Sequence, residues 1–208
     1  MIKWSPEFAY GLGLIVSDGS LSNDGRHIEF TSKDLELIEL FKSCWKLNSK
    51  ISIKLSGSGK SAYRVQFSNV KLYRDLVSVG LHPNKSKTIQ RLQVPSKYLF
   101  DFIRGNFDGD GTFYFGWDHR WPRSSIFYLE ISSGSLRYLE WLRMRVYKEI
   151  GIKGFIVQNR RAWRLRYAKS ETKILIKKMY YSTDIPYLER KFAKIQNAEV
   201  VEQEDTHP

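Results

Sequence analysis

The apolar residues of the chain follow two alternating spacings, one helical and one typical of strands. Residues 8–17 are apolar at helical spacing and follow a serine and a proline, which together favour a helix start. Alternating apolar and polar residues over 27–31 and over 51–67 indicate strands with one buried face. Amphipathic stretches over 35–45 and 69–80 predict two further helices. The first part of the chain is therefore predicted as helix, two strands, helix, two strands, helix.

The second part of the chain repeats this succession. Three segments recur in the same order, namely 13–20 as 105–112, 30–35 as 131–136 and 62–68 as 162–168. The offset between the copies grows after the first pair, which places one insertion near 116–123. Such a duplication predicts two similar halves around a shared core.

We therefore expect an α+β protein built from two αββαββα halves with pseudo-twofold symmetry, each half contributing four antiparallel strands. Residues 1–81 would form the first half, 82–94 a linker and 95–198 the second half. Residues 199–208 are acidic and polar, and are predicted to be a disordered tail.

The charge of the chain follows the same repeat. Its 208 residues include 34 Lys and Arg against 22 Asp and Glu, a formal net charge of +12. The positive charge is concentrated in residues 51–100 and 151–198, whereas 1–50 and 101–150 are close to neutral. A basic protein of this kind indicates a polyanionic partner, most often nucleic acid, with an anionic membrane surface as the other option.

Several classes of protein are excluded. The single cysteine, Cys44, excludes a disulfide scaffold and a Cys-rich zinc site. No apolar run approaches the ~20 residues that cross a bilayer, and the start lacks a signal peptide. We therefore expect a soluble intracellular protein, in a prokaryotic cytoplasm or an organelle. The four histidines are scattered, residues 57–60 lack the context of a phosphate-binding loop, and most Trp and Phe residues lie at core spacing, so no stacking platform is predicted.

Small residues recur at helical spacing in the first helix of each half. Gly13 and Ser17 are four residues apart, as are Gly105 and Gly109. Residues at this spacing share one face of a helix. Each helix is thus predicted to approach a neighbouring helix closely along this face.

An aspartate ends each of these two helices. Asp18 and Asp110 each precede a glycine, a pairing that is also common at simple turns. If the helices pack about a pseudo-twofold axis, both carboxylates lie at one end of the interface. Two adjacent carboxylates are unfavourable unless a cation bridges them, and Mg²⁺ is bound by one or two carboxylates together with phosphate oxygens. The pair therefore suggests metal-dependent phosphodiester cleavage.

Residues 11–19 and 103–111 resemble the two motif copies of a single-chain LAGLIDADG homing endonuclease. The resemblance covers nearly the whole chain. It implies two saddle-shaped sheets that straddle double-stranded DNA, with a metal-dependent active site beneath the helix interface. It implies a monomer that cleaves both strands of one long asymmetric site. Asp18 and Asp110 would be catalytic metal ligands for Mg²⁺, with Mn²⁺ or Ca²⁺ able to replace it for binding.

The resemblance also bears on two further positions. Asp108 matches an acidic position that Val16 occupies in the first copy, so we expect a structural role for it. Lys33 matches a basic residue near the metals, which makes it a catalytic candidate, although it also suits an ordinary solvated helix start. Gly134 stands at the corresponding position of the second half, so the two centres are expected to differ.

Alternation along the strands predicts which side chains reach DNA. Ile51, Ile53, Leu55, Tyr63, Val65 and Phe67 are expected to face the core. The predicted contacts on or beside the sheets are Arg26, His27, Glu29, Ser52, Lys54, Arg64, Gln66, Tyr114, Tyr128, Glu130, Arg164 and Arg166. Those in the insertion are His119, Arg120 and Arg123, and those expected at phosphates are Lys85, Lys87, Arg190 and Lys191. Arg and Gln suit bidentate contacts with guanine and adenine.

Two other functions fit the same scaffold. One is an RNA-binding intron maturase, for which intron RNA would be the partner. The other is a DNA-binding regulator without nuclease activity. The target sequence and an intron, intein or free-standing origin stay open.

Overall fold

The chain folds into two halves of the same topology. The computed structural model describes residues 2–55, 59, 61–118, 121–159 and 162–204. The first half contains α1 (Pro6–Asp18), β1 (Gly19–Leu21), β2 (His27–Ser32), α2 (Leu35–Trp45), β3 (Ser52–Leu55), β4 (Ser61–Ser68) and α3 (Val70–Ser78). The second half contains α4 (Leu99–Asp110), β5 (Gly111–Asp118), β6 (Trp121–Ser133), α5 (Leu136–Ile150), β7 (Phe155–Asn159), β8 (Ala162–Tyr167), α6 (Lys169–Met179) and α7 (Glu189–Glu204). The predicted α+β class is confirmed.

Each half forms one antiparallel four-stranded sheet. The strand order is β1-β2-β4-β3 in the first sheet and β5-β6-β8-β7 in the second. The two registers correspond, since Glu29 lies opposite Gln66 in the first sheet and Glu130 lies opposite Arg166 in the second. The inner face of each sheet packs on the helices of its half, as where Phe30 stacks on Phe41 of α2. The other face, which we call the outer face, carries most of the side chains predicted to contact DNA.

The helices α1 and α4 touch backbone to backbone. A Cβ atom added to Gly13 would lie 2.2 Å from the carbonyl oxygen of Phe102. A Cβ atom added to Gly105 would lie 2.0 Å from the carbonyl oxygen of Tyr10. Glycine is therefore required at both positions, in agreement with the close approach that the small residues predict.

The hairpin β3–β4 departs from the predicted burial. Val65 and Phe67 are buried and Tyr63 is half-buried, as expected. Ile53 and Leu55 lie on the same inner side of the sheet, but they are 68% and 70% exposed. The prediction of a core position was wrong for these two residues because the hairpin extends beyond the helices that cover its base.

A buried arginine on α4 holds the segment 179–188. The Arg104 guanidinium donates hydrogen bonds to the carbonyl oxygens of Met179 (2.5 Å) and Pro186 (2.7 Å). It also forms an ion pair with Asp101, at 2.7 Å. These bonds satisfy a fully buried charge and determine where the chain enters α7.

Asp108, on the same helix, has a structural position. Its carboxylate is buried and accepts hydrogen bonds from the Tyr10 hydroxyl (2.7 Å) and the Leu188 backbone N–H (2.9 Å). Burial raises its pKa to about 6. Asp108 therefore links α1, α4 and the start of α7.

The predicted disordered tail is helical through most of its length. The helix α7 continues to Glu204, whereas residues 205–208 lie outside the described residues. The prediction was wrong for 199–204 because α7 is anchored by the buried residues Ile195 and Ala198, which precede the polar end. Within the described residues, no helix has the length and apolarity needed to span a membrane.

Candidate active site and nucleic-acid interface

The structure brings Asp18 and Asp110 together at the ends of α1 and α4. Each is the last residue of its helix. The Asp18 Oδ2 atom lies 3.0 Å from the position that a Cβ atom on Gly109 would take, so this carboxylate lies against the last turn of α4. Both aspartates retain solvent contact. A phosphate group that approaches this end of the helix pair can therefore reach both carboxylates.

The proximity of the two carboxylates changes their acidity. Partial desolvation by the surrounding protein, together with the charge of Asp110, raises the pKa of Asp18 to about 7. Desolvation also raises the pKa of Asp110. Both carboxylates thus resist ionisation in the absence of a cation.

The pair suits a hard divalent cation. Among the described residues, no group of three or more His, Cys, Asp or Glu side chains surrounds a metal position. Mg²⁺ nevertheless binds in proteins through one or two carboxylates and completes its shell with water and phosphate oxygens. A cation held by Asp18 and Asp110 would offset the desolvation and repulsion that raise their pKa values. The residues present therefore fit Mg²⁺, with water and phosphate oxygens as the other ligands.

Two lysines flank the aspartates symmetrically. The Lys85 ammonium donates a hydrogen bond to the carbonyl oxygen of Gly19 at 2.8 Å. The Lys191 ammonium donates to those of Phe107 and Gly111, at 2.5 Å and 2.7 Å. Each lysine therefore contacts the glycine that follows one motif aspartate.

Burial lowers the pKa of Lys85 and of Lys191 to about 8, while the nearby aspartates act in the opposite direction. The sequence predicted both lysines as phosphate contacts at helix or linker ends, and the structure places them beside the aspartates. A lysine soon after the last helix of the αββαββα repeat in each half is the sequence signal that could have indicated this position. Lys33 is exposed between β2 and α2, and its catalytic role stays a prediction.

On the outer face of the first sheet, predicted DNA contacts are linked to one acid. Glu29 accepts a hydrogen bond from the Lys54 ammonium at 2.6 Å and lies 3.7 Å from the Arg64 guanidinium. Arg64 Nε also donates to the Ser52 hydroxyl at 3.2 Å. Gln66 is exposed beside this group. The cations of this sheet are thus partly neutralised within the chain.

On the outer face of the second sheet, Glu130 has the equivalent position. It is 3% exposed, and it lies 2.6 Å from Arg166 Nε and 3.5 Å from Arg164 Nη1. The expectation that Glu130 is accessible to DNA was wrong, because the two arginines and the surrounding sheet cover it. Their guanidinium groups are partly exposed.

Aromatic side chains occupy this outer face as well. Tyr114 and Tyr128 stack with ring centroids 5.0 Å apart, and Phe155 is 44% exposed beside Arg166. The prediction that Trp and Phe residues lie mainly in the core therefore misses Phe155. Tyr114 and Tyr128 lie on the outward positions of their strands, where the alternation of the sequence predicted them.

The structure describes Arg26, His27, Lys87 and Arg190 among the remaining predicted contacts. Arg26 and His27 both pair with Asp24 in the turn between β1 and β2. Arg190 forms an ion pair with Asp34 at 2.5 Å, which joins α7 to the first half. Lys87 is exposed. His119 and Arg120 lie outside the described residues, as does the side chain of Arg123.

Comparisons with known proteins agree with this fold. Residues 5–79 match the family model of the LAGLIDADG-like domain. The meganuclease I-AabMI bound to uncleaved DNA has 16% identity and a TM-score of 0.62, with 96% of this chain and 91% of that chain covered. The homing endonuclease I-DmoI in complex with DNA and Ca has 18% identity and a TM-score of 0.59, with 92% and 97% covered.

The N-terminal LAGLIDADG domain of DUF199/WhiA is also similar, with 17% identity, a TM-score of 0.58 and coverage of 90% and 88%. No curated protein sequence matches the chain. At these identities the structural matches establish the fold, and the family model identifies the first motif half. Residues 5–79 are thus similar to the LAGLIDADG-like domain, and the chain as a whole has the fold of the LAGLIDADG structures that it matches.

Proposed function

We propose that the chain is a metal-dependent endonuclease that hydrolyses both strands of a specific double-stranded DNA site. The observation that carries this proposal is the meeting of Asp18 and Asp110 between Lys85 and Lys191. Two exposed carboxylates, with the buried Lys85 and the half-buried Lys191 beside them, match the requirements of phosphodiester cleavage, namely metal binding and neutralisation of phosphate charge.

The side chains divide this work. Asp18 and Asp110 would hold Mg²⁺, which supplies charge neutralisation and activation of water when it is bound. Lys85 uses one of its three N–H donors on Gly19, so two remain for a phosphate oxygen. Lys191 uses two donors on carbonyl oxygens and keeps one. Their position lets both lysines stabilise negative charge as it develops at the scissile phosphates.

The two outer faces would bind the DNA on either side of this centre. Both carry arginines, which suit phosphates and guanine edges. The sheets differ in side chains at equivalent positions, so the site they recognise would be asymmetric. Both halves lie in one chain, and a monomer is therefore sufficient for two-sided binding. The DNA-bound structures of I-AabMI and I-DmoI support this partner.

The test compares binding and cleavage by Asp18→Asn and Asp110→Asn. Duplexes selected from a random library by the wild-type chain in Ca²⁺ serve as the substrate, and cleavage is then measured in Mg²⁺. Each variant should lose cleavage by roughly 100-fold or more, since even outer-shell partners of a metal contribute about 10- to 100-fold. Binding should persist, because each substitution removes a negative charge that repels DNA.

Lys71→Ala, at an exposed lysine of α3, serves as a surface control for general effects on the assay. Double-strand cleavage at the wild-type rate by either aspartate variant would refute the proposed mechanism.

A second candidate is a DNA-binding protein without cleavage activity. The match to DUF199/WhiA favours it, because that structure is described by its LAGLIDADG domain and not as an endonuclease. Selective binding of duplexes by the wild-type chain, with no cleavage in Mg²⁺ or Mn²⁺, would support this function in place of the nuclease.

A further inference from the structure

The outer face of the second sheet carries a continuous row of flat side chains. Tyr114 of β5 stacks on Tyr128 of β6, with an interplanar angle of 17°. The Arg166 guanidinium of β8 lies 4.1 Å from the centre of the Tyr128 ring and 5.9 Å from that of Phe155 on β7. The row, which we call the Arg166 row, therefore crosses all four strands. Rings stacked across strands present their edges to a ligand, so the row offers an ordered set of edges to a DNA groove.

Glu130 sets the orientation of Arg166 within the row. Its Oε1 atom lies 2.6 Å from Arg166 Nε and 2.5 Å from Arg166 Nη2. The Glu130 side chain is only 4% exposed, so water competes little for these contacts. One edge of the guanidinium is thus occupied, and the rings of Tyr128 and Phe155 lie close to it. The side chain is held in one orientation before any ligand binds.

The remaining donors of Arg166 form one recognition edge. The contacts to Glu130 use Nε and one N–H of Nη2, so the N–H groups of Nη1 and the second N–H of Nη2 stay available. Two adjacent N–H groups in one plane match the O6 and N7 acceptors of guanine in the major groove. The Arg166 side chain is 30% exposed, which leaves this edge accessible.

The first sheet has the same register but different chemistry. Gln66 lies opposite Glu29 where Arg166 lies opposite Glu130. Glu29 is engaged by Lys54 from β3, whereas Phe155 lies opposite Arg166 in the second sheet. The equivalent point of the first half-site therefore meets an amide, which does not match guanine as a bidentate arginine does.

We propose that Arg166 reads a guanine in the DNA half-site beneath the second sheet, and that Glu130 is the residue that positions it. This inference rests on the proposed binding of duplex DNA, and it assigns one base preference to one side chain. Discrimination at this base pair would be lost without Arg166, while contacts to phosphates along the duplex would stay.

The test is selection of binding sites from random duplexes in Ca²⁺ by the wild-type chain and by Arg166→Gln. The wild-type chain should select guanine at one position of one half-site. Arg166→Gln should weaken preference at that position alone, by about 5- to 150-fold, and shift it toward adenine. Glu130→Gln should partly reduce the preference at the same position. The unfolding midpoint of this variant, measured separately, shows whether the fold is retained. Glu29→Gln is the matched control, and any change it causes should lie in the other half-site.

Three outcomes separate this inference from the proposed function. Uniform weakening at all sites by Arg166→Gln, with a shallower salt dependence, would make Arg166 a phosphate contact and overturn the inference. Unchanged base preferences in Arg166→Gln would overturn it as well, while site-specific cleavage still stood. Absence of any duplex selection by the wild-type chain would instead refute duplex DNA binding, and the inference with it.

Discussion

The contact between α1 and α4 predicts a large effect for a single methyl group. In Gly13→Ala, the new Cβ atom would lie 2.2 Å from the Phe102 carbonyl oxygen and 2.6 Å from the Asn106 backbone nitrogen. Both neighbours are main-chain atoms of a buried helix, so neither can rotate away. The two helices must move apart by more than about 1 Å to restore ordinary van der Waals contact.

This separation has a calculable cost. Overpacking by one methyl group in a rigid core costs about 1–3 kcal/mol and occasionally more. Alanine is favoured over glycine in a helix interior by up to about 1 kcal/mol, which offsets part of this cost. Because the atoms that the new Cβ meets in Gly13→Ala belong to the main chain, the overpacking cost should lie at the upper end of this range. We therefore expect a net loss of about 2 kcal/mol in the free energy of unfolding. For a chain of this size that corresponds to about 4–8 °C in Tm.

Urea unfolding followed by circular dichroism measures this loss, with Gly11→Ala as the matched control. Gly11 lies on the same helix, but its added Cβ atom would meet the Trp45 ring at 2.7 Å, and a side chain can shift. The control should therefore lose less stability than Gly13→Ala. A Gly13→Ala chain as stable as the wild type would show that the helices do not touch as described.

Two further predictions concern the active site. Lys85→Ala and Lys191→Ala should each lower the cleavage rate roughly 100-fold, as the loss of a charge-stabilising donor does, whereas Lys33→Ala should stay near the wild-type rate. If single-turnover cleavage is slow in Lys33→Ala but unchanged in Lys85→Ala and Lys191→Ala, the catalytic lysine is Lys33. The Asp18 carboxyl binds its proton more tightly in the folded chain, with a pKa of about 7, so its contribution to stability falls as the pH rises from about 4 to about 7 in metal-free buffer. Asp18→Asn should flatten this part of a plot of urea midpoint against pH, and an unchanged slope would contradict the raised pKa.

The sequence predicted those parts of the site that depend on local spacing. Small residues four apart are enough to predict the helix contact, and the contact places Asp18 beside Asp110. Alternation predicted the side of the strand on which Ile53 lies, but exposure depends on how far the helices extend over the sheet. The burial of Glu130 likewise depends on cross-strand register, which no single strand specifies. Lys85 reaches Gly19 through a contact distant in sequence, and only the recurrence of a lysine after the last helix of each half hints at it.

The ion pair between Arg190 and Asp34 has a consequence for exchanging parts between proteins of this fold. It joins the start of α7 to the first half, and the Glu189 backbone N–H adds a hydrogen bond to Glu36 at 3.0 Å. A chimaera that grafts a foreign first half onto this second half would therefore need acidic residues at both places to seat α7. Because Lys191 follows Arg190 directly, a poorly seated α7 would also displace a lysine from the centre. Two exchanged halves would then be compatible only if they match at the contacts between α7 and the first half, as well as at the close contact between α1 and α4.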